Sequence, residues 1–360
     1  VKVAVILGTR PEIIKMAPVV KELERRHVDF FILHTGQHYF YDLDKVFFEQ
    51  LKLPQAKYNL EVGSGSHAEQ TAGVLIGVEK VLQKENPDIV LVEGDTNSVL
   101  AGALSAAKLH LEVGHVEAGL RSYDRNMPEE INRTLTDHCS DYLFAPTDNA
   151  KAILLGEGIS EKKVFVTGNT IVDAIFQNLE IAKGRMETLS KLSLRSKEYC
   201  LVTVHRQENV DDQVRFASIL EGLEKVVDEF HLPAIYPMHP HSLRRMNEFH
   251  LALQNLTLID PIDFLGFTQL ESNAKLILTD SGGVQEEACI LGVPCVTLRD
   301  NTERSETVEV GANMVAGTSA VKILECTRVM LTEGKGWQNP FGDGKAAERI
   351  VSIIMEGSDG

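Results

Sequence analysis

The chain has 360 residues, 43% of them hydrophobic, which is apolar material for two domains of ordinary size rather than one oversized core. Its formal net charge of -16, with no clustered basic stretch, excludes a nucleic-acid groove, because counterion release depends on a concentrated cationic surface. No run reaches the roughly eighteen uninterrupted apolar residues of a membrane-spanning helix, and "VKVAVILGTRPE" is broken too early by Arg10 to be a signal peptide, so the expectation is a soluble cytoplasmic protein without a membrane partner.

Short runs rich in Val, Ile and Leu alternate with longer helix-like segments, the pattern of a parallel sheet covered on both faces. In the first half the runs predict strands at about 2–7, 29–34, 88–93, 112–117, 141–145 and 163–167. A polar, helix-prone tract, "IVDAIFQNLEIAKGRMETLSKLSLRSKE", then reads as a hinge and the start of a second domain. Beyond it the strand pattern returns at about 199–204, 233–238, 256–259, 275–279 and 294–298, and "GKAAERIVSIIME" closes the chain as an amphipathic helix. The expected fold is α/β, with two doubly wound Rossmann-like domains facing a central cleft, over residues 1–172 and 173–340, followed by the helical segment 341–360. Cys139, Cys200, Cys289, Cys295 and Cys326 have no paired spacing, which suits thiols in a reducing compartment rather than a disulfide frame or a structural zinc site.

Neither half carries a dinucleotide or P-loop fingerprint, so no cofactor is expected. Polar residues nevertheless gather at the carboxyl ends of the predicted strands, where open parallel sheets bind ligands. "TDSGGVQEEA" places Ser281, Gly282 and Gly283 at the start of a helix, where exposed N–H groups and the helix dipole favour a phosphate and glycines let it approach. An N-cap serine with two turn glycines is the alternative. "GTRPEIIKMAPV" puts Arg10 just past the first strand and Lys15 about a turn later, as a pyrophosphate pair or as plain surface cations. Asp95 follows a buried strand in "VEGDTNS", either as a functional acid or as a helix cap. In "GHVEAGLRS", His115 and Glu117 are two apart in a predicted strand and so point the same way before the glycine turn, as a functional pair or as a matched, satisfied core pair. Glu129 lies in the first turn of a helix opened by Pro128, where an i,i+4 ion pair with Arg133 is the bland alternative. His205 and Arg206 follow a strand in "VTVHRQEN", and Arg304 lies in the polar loop "RDNTERSE". His239 and His241 in "MHPHS" have no partner at ligand spacing, so no metal site is expected.

Taken together and in order, "GTRPEIIKMAPV", "TGQH", "EGDTNS", "GHVEAGLRS", "MPEEINR", "VTGNTIVDA", "HRQEN" and "TDSGGVQEEA…GVPCVTLRDNTERSETVEVG" resemble the non-hydrolysing UDP-N-acetylglucosamine 2-epimerases over nearly the whole chain. The resemblance implies a GT-B glycosyltransferase-like fold, a homodimer, a last helix that crosses back onto the first domain, and interconversion of UDP-GlcNAc and UDP-ManNAc. By motif position, Asp95, Glu117 and Glu129 resemble the catalytic carboxylates and His205 the histidine that assists them. Arg10, Lys15, Ser281, Gly282, Gly283, Glu287 and Arg304 resemble the UDP-binding set, with Phe267 at a position whose backbone contacts uracil. Bacterial members are often activated by a second UDP-GlcNAc. Here "TGQHYFYDLDKVF" has aromatics after Gln37 and His38, and "GSGSHAEQTAG" offers no arginine, which leaves Gln37, Arg206 and His239 for a second-ligand site and predicts conversion of pure UDP-ManNAc without added UDP-GlcNAc. A GT-B glycosyltransferase, a hydrolysing epimerase and a non-catalytic nucleotide-sugar sensor are the rivals.

Overall fold

In the computed structural model, residues 1–37, 47–183, 187–333 and 336–357 are described. They fall into two compact units, Val1–Phe176 with Phe341–Gly360, and Gln177–Pro340.

The first unit is built on a wholly parallel seven-stranded sheet in the order β3-β2-β1-β4-β5-β6-β7. Its strands are β1 (Lys2–Leu7), β2 (Asp29–His34), β3 (Tyr58–Asn59), β4 (Ile89–Glu93), β5 (Glu112–Val116), β6 (Tyr142–Ala145) and β7 (Val164–Val166). The central strands are apolar on both faces because helices cover both. On one face Ala4, Ile6, Leu33, Val90 and Val92 pack with Val74, Val78 and Ala103 of helices α2 (His67–Glu85) and α3 (Asn97–Lys108). Helix α1 (Arg10–Arg25) buries Ile13, Met16, Val19, Val20 and Leu23. The C-terminal helix Ala346–Glu356 packs against α1, with Arg26 donating to the Glu348 carbonyl at 3.2 Å. That helix starts at Lys345 with no side-chain cap of its own. Asp173 does the capping instead, accepting from the Ala346 and Ala347 amides at 3.2 and 3.0 Å.

The second unit repeats the plan on a six-stranded parallel sheet ordered β10-β9-β8-β11-β12-β13. These strands are β8 (Cys200–Thr203), β9 (Ala234–Pro237), β10 (Leu256–Ile259), β11 (Leu276–Thr279), β12 (Cys295–Thr297) and β13 (Asn313–Val315). Val202, Tyr236 and Leu278 meet Phe216, Ile219 and Leu223 on one face, while Leu201, Ile235 and Ile277 meet Leu270 and Ala288 on the other.

The eleven predicted strands are present with ends shifted by no more than a residue or so, and the topology is the expected double winding. β3 and β13 escape the sequence because they are edge strands of two and three residues, too short for a pattern. The helix-prone tract forms Thr170–Lys183 and Glu187–Lys191, with 184–186 outside the described residues.

Both sheets reverse winding direction at one place, between β1 and β4 and between β8 and β11. Connections leaving these two strands go to opposite faces, which opens a crevice at their carboxyl ends. Chain packing at the first switch point is tight. A Cβ on Gly8 would lie 2.2 Å from Ser98 Oγ and 2.5 Å from Thr35 Oγ1. Gly8→Ala is therefore expected to lower unfolding free energy by about 1–3 kcal/mol in urea titration, the usual cost of forcing a methyl into a filled space.

Candidate active site

At the first switch point, α1 begins with an acid that organises its surroundings. Glu12 is 2% exposed and accepts from the Gly8 amide, the Thr9 hydroxyl and the Thr96 hydroxyl at 2.5, 3.0 and 2.7 Å. Burial pushes its carboxyl above the usual range, although those donors oppose the shift. The bracket ties the start of α1 to Thr96, the residue that caps α3.

One turn into α1, Lys15 reaches two carboxyl groups, Glu117 in a hydrogen-bonded ion pair and Glu93 Oε1 at 3.2 Å. Glu93 closes β4 and its side chain is 2% exposed. Burial pushes it well above the usual carboxylate range, with Lys15 opposing and with Glu117 and Glu12 adding. The expectation that His115 and Glu117 share a face fails, because β5 ends at Val116 and Glu117 turns into the left-handed region at φ 67°. Alternation stops there. His115 is fully buried, with its ring nitrogens 2.6 Å from Asp137 Oδ1 and 2.8 Å from the Gly94 carbonyl. Burial raises the Asp137 carboxyl, but His115 and Arg121 outweigh it and hold the group below its ordinary value. These residues are a buried scaffold under the loop that carries Glu117.

Asp95 does not cap α3, since Thr96 does. Its carboxylate is about a third exposed and pairs with Arg133 at 2.5 Å, while Asn132 holds its backbone carbonyl at 2.9 Å. Both partners lie on helix α4 (Pro128–Cys139). Arg133 bonds Asp95 and Glu130 rather than making the i,i+4 pair with Glu129. Of the two adjacent acids, Glu130 is buried and accepts from Ser122 and Tyr123 amides at 2.9 Å each, whereas Glu129 is exposed. Arg10 is exposed at the first helical position and lies over the Phe47 ring, 4.3 Å from its centroid.

The second switch point is organised by Asp280, wholly buried just past β11. It accepts from the His205 amide at 3.0 Å, the Arg206 amide at 2.9 Å and Asn209 Nδ2 at 3.1 Å, and lies 3.3 Å from His205 Nδ1. His205 is thereby fixed at the end of β8 with about half its side chain exposed. Burial of the rest, joined by Arg206 and His239, takes the imidazole below its ordinary value against the pull of Asp280.

Ser281 occupies the N-cap of helix Gly282–Ile290, yet its side chain makes no cap bond, so the simple capping alternative does not describe it. A Cβ on Gly283 would meet nothing nearer than Ser281 Oγ at 4.0 Å, so protein packing does not demand a glycine there. A Cβ on Gly282 would lie 2.4 Å from Glu303 Oε1, a carboxylate held by Arg299 at 2.8 Å. Arg304 is mostly buried and approaches Glu286 Oε2 at 3.2 Å. Glu271 is a buried acid whose carboxyl is pushed well above its usual range by burial and then by the nearby Glu287. The Phe267 amide is taken by the Asp263 carbonyl at 2.9 Å within helix Phe264–Asn273.

Gln37 belongs to the first unit, where its side-chain oxygen accepts from Ser98 Oγ at 2.6 Å; His38 and the aromatics after it lie outside the described residues. Arg206 and His239 belong to the second unit, Arg206 lying 3.8 Å from Glu303 and His239 accepting from the His241 amide at 3.2 Å. His241 itself pairs with Asp211 at 2.9 Å. Among the described residues no group of three His, Cys, Asp or Glu side chains is arranged to hold a metal, and no helix is long and apolar enough to cross a membrane. A cavity of about 560 Å³ lined by His110, Glu112, Asp141 and Tyr142 lies at the amino ends of β5 and β6, the opposite end of the first sheet from its switch-point crevice.

Glu12, Glu93, Asp280 and Glu271 were not singled out from the sequence. The available signal for two of them was an acid directly after a run of buried aliphatics, in "IVLVE" and "LILTD".

The sequence profile of the UDP-N-acetylglucosamine 2-epimerase family matches residues 21–355. A UDP-N-acetylglucosamine 2-epimerase of Methanocaldococcus jannaschii is 54% identical over 99% of both chains. Its crystal structure, in complex with UDP-GlcNAc and UDP, superposes with a TM-score of 0.88 over 99% of this chain and 100% of that one, at 55% identity. A UDP-2,3-diacetamido-2,3-dideoxy-D-glucuronate 2-epimerase of Pseudomonas aeruginosa is 41% identical over 99% of both chains. A glycosyltransferase of Rickettsia africae, 14% identical with a TM-score of 0.59 over 99% of this chain and 98% of that one, shares the fold alone. Two parallel-sheet domains of GT-B-like architecture and full-length similarity to these epimerases make the chain a member of the UDP-N-acetylglucosamine 2-epimerase family.

Proposed function

We propose that the protein is a non-hydrolysing epimerase that interconverts UDP-GlcNAc and UDP-ManNAc by eliminating UDP and adding it back. The reading is carried by the contact of Lys15 with Glu93 and Glu117 at the carboxyl end of the first sheet, in a chain of established family. C2 of the sugar bears no adjacent carbonyl, so its proton is lost only as the anomeric C–O bond breaks. In that step a carboxylate takes the C2 proton, the C1–O bond opens, C1=C2 forms and UDP leaves as the anion, giving 2-acetamidoglucal. Return of a proton to the other face of C2 and re-addition of UDP at C1 complete the inversion. Acid and base groups near C2 and donors at the leaving diphosphate are the two requirements.

Asp95, Glu117 and Glu129 are the candidates for the first requirement, Arg10, Lys15, His205 and the Ser281–Gly283 helix start for the second. A neutral His205 suits a hydrogen-bond donor to the diphosphate. The uncapped helix start and open space at Gly283 suit a phosphate oxygen. Glu287 suits the ribose hydroxyls, with Arg304 and Phe267 completing the nucleotide set. A homodimer and a cytoplasmic role in supplying sugar precursors for polysaccharides belong to the same reading.

The test is incubation with UDP-GlcNAc alone and chromatographic separation of the products. UDP-ManNAc formation supports the proposal. An absolute need for an acceptor identifies a glycosyltransferase, and free ManNAc with UDP identifies a hydrolysing enzyme. Similarity to the diacetamido-glucuronate epimerase supports a second reading, in which the same chemistry acts on that sugar; turnover of it but not of UDP-GlcNAc would favour this reading.

A further inference from the structure

Gln285 lies fully buried on helix Gly282–Ile290, and nothing in the mechanism above calls for it. Its amide oxygen is the meeting point of two donors, the Thr302 hydroxyl at 2.5 Å and Asn313 Nδ2 at 3.3 Å. Both lead back to one residue's backbone, that of Arg304. Thr302 Oγ1 accepts from the Arg304 amide at 3.0 Å. Asn313 Nδ2 also reaches Thr307 Oγ1 at 3.1 Å, and that hydroxyl donates to the Arg304 carbonyl at 2.7 Å. A circuit of hydrogen bonds therefore runs from Gln285 to both ends of the Arg304 backbone.

The end groups fix which way each proton points. An amide N–H only donates, so the Thr302 hydroxyl takes the Arg304 proton on its oxygen and turns its own toward Gln285. A carbonyl only accepts, so Thr307 gives its proton to Arg304 and receives one from Asn313. Asn313 is oriented in turn by the Thr297 hydroxyl, which donates to its Oδ1 at 2.9 Å. Where the two arms join, the circuit needs a group that accepts twice, and the Gln285 oxygen is that group. Thr297, Thr307 and Asn313 are as enclosed as Gln285, so solvent does not replace a lost partner.

The held residue carries a working side chain. Arg304 has φ -108° and ψ 56°, outside the regular regions, directly ahead of the short helix Ser305–Glu309. Its guanidinium comes to 3.2 Å from Glu286, the residue next to Gln285. One helix turn thus meets the arginine twice, at the backbone through Gln285 and at the side chain through Glu286, just after the Ser281–Gly283 start.

We propose that Gln285 is a positioning residue for the nucleotide, locking the loop that bears Arg304 onto the helix opened by Ser281–Gly283, so that Arg304 is set before UDP arrives. The inference rests on the reading that Arg304 belongs to the nucleotide set. A loop ordered in advance loses less conformational freedom on binding, and the difference appears as affinity.

Calorimetric titration of full-length variants with UDP tests this. Methionine matches glutamine in length but has no oxygen to offer. Gln285→Met is expected to weaken UDP binding about tenfold. Thr302→Val keeps the shape of a half-buried residue and removes the same hydrogen bond from its other end, so a similar loss is expected there even if the buried substitution misfolds. In an Arg304→Ala background either change is expected to cost less than about twofold, since the group it positions is gone. Equal losses in both backgrounds are what a merely structural role gives, and they overturn the proposal, as does wild-type affinity in the folded variants. If Arg304→Ala alone leaves UDP affinity unchanged, the nucleotide reading of Arg304 fails. Hydrogen exchange followed by mass spectrometry separates that failure from failure of the lock. Faster exchange over residues 299–307 in nucleotide-free Gln285→Met, with 276–279 unchanged, shows the lock at work, whereas unchanged exchange over 299–307 refutes it. Neither measurement depends on turnover, so absence of UDP-ManNAc formation would sink the epimerase reading alone.

Discussion

Replacing Glu117 by glutamine is expected to lower turnover at least about 100-fold, equivalent to about 2.7 kcal/mol of transition-state stabilisation. Asp95→Asn and Glu129→Gln are expected to do the same, for different local reasons. Glu117 is nearly buried and gripped by Lys15, so the glutamine variant removes a charge without opening space. Asp95 is more open and is oriented from α4 by Arg133 and Asn132. Glu129 is exposed, so its substitution touches little packing, and a large loss there speaks most directly for a chemical role. Steady-state kinetics with UDP-GlcNAc supplies kcat and KM for each. Near-wild-type kcat in all three removes the carboxylate mechanism.

The second large effect is expected at Asp280. Asp280→Ala strands the His205 and Arg206 amides and Asn209 Nδ2, which now share one buried carboxylate. Orphaned donors cost about 1–3 kcal/mol each where water cannot reach them. Two of the three border the exposed His205, so a loss of about 3 kcal/mol in urea unfolding is the expected sum. UDP affinity by calorimetry should fall at least about tenfold, or about 1.4 kcal/mol, because His205 and the start of helix Gly282–Ile290 are set by this bracket. Asp280→Asn keeps one acceptor oxygen and should fall between alanine and wild type. Unchanged UDP affinity in a folded Asp280→Ala protein would detach the bracket from the nucleotide.

The two sheets follow one plan, which is why so much of it could be read in advance. Aliphatic runs such as "KVAVIL" and "KLILT" mark central strands, since a parallel strand covered on both faces is apolar throughout. Helix starts were legible at Pro128 and at Ser281, where proline and glycine have positional meaning. β3 and β13 were not, because two or three residues at an edge show no period.

At the sites, residues that project beyond a strand end were found more readily than those that hold them. Arg10, Asp95, Glu117 and His205 follow strands and are conspicuous as charge. Glu93 and Asp280 also close strands, but as side chains that turn inward, and burial of a carboxyl is a property of packing rather than of local sequence. The assumed facing of His115 and Glu117 failed for a related reason. A single left-handed residue at Glu117 ended the alternation, and nothing in "GHVEAG" required that turn to fall before the glycine.

The central claim is that a carboxylate of the first unit removes the C2 proton while UDP departs and returns. Proton NMR of UDP-GlcNAc incubated with the enzyme in deuterated water tests it most directly. The account predicts UDP-ManNAc bearing deuterium at C2, deuterium entering C2 of the recovered UDP-GlcNAc, and intact UDP linkages in both. UDP-ManNAc that keeps its original C2 proton, or deuterated ManNAc released free with UDP, would contradict it.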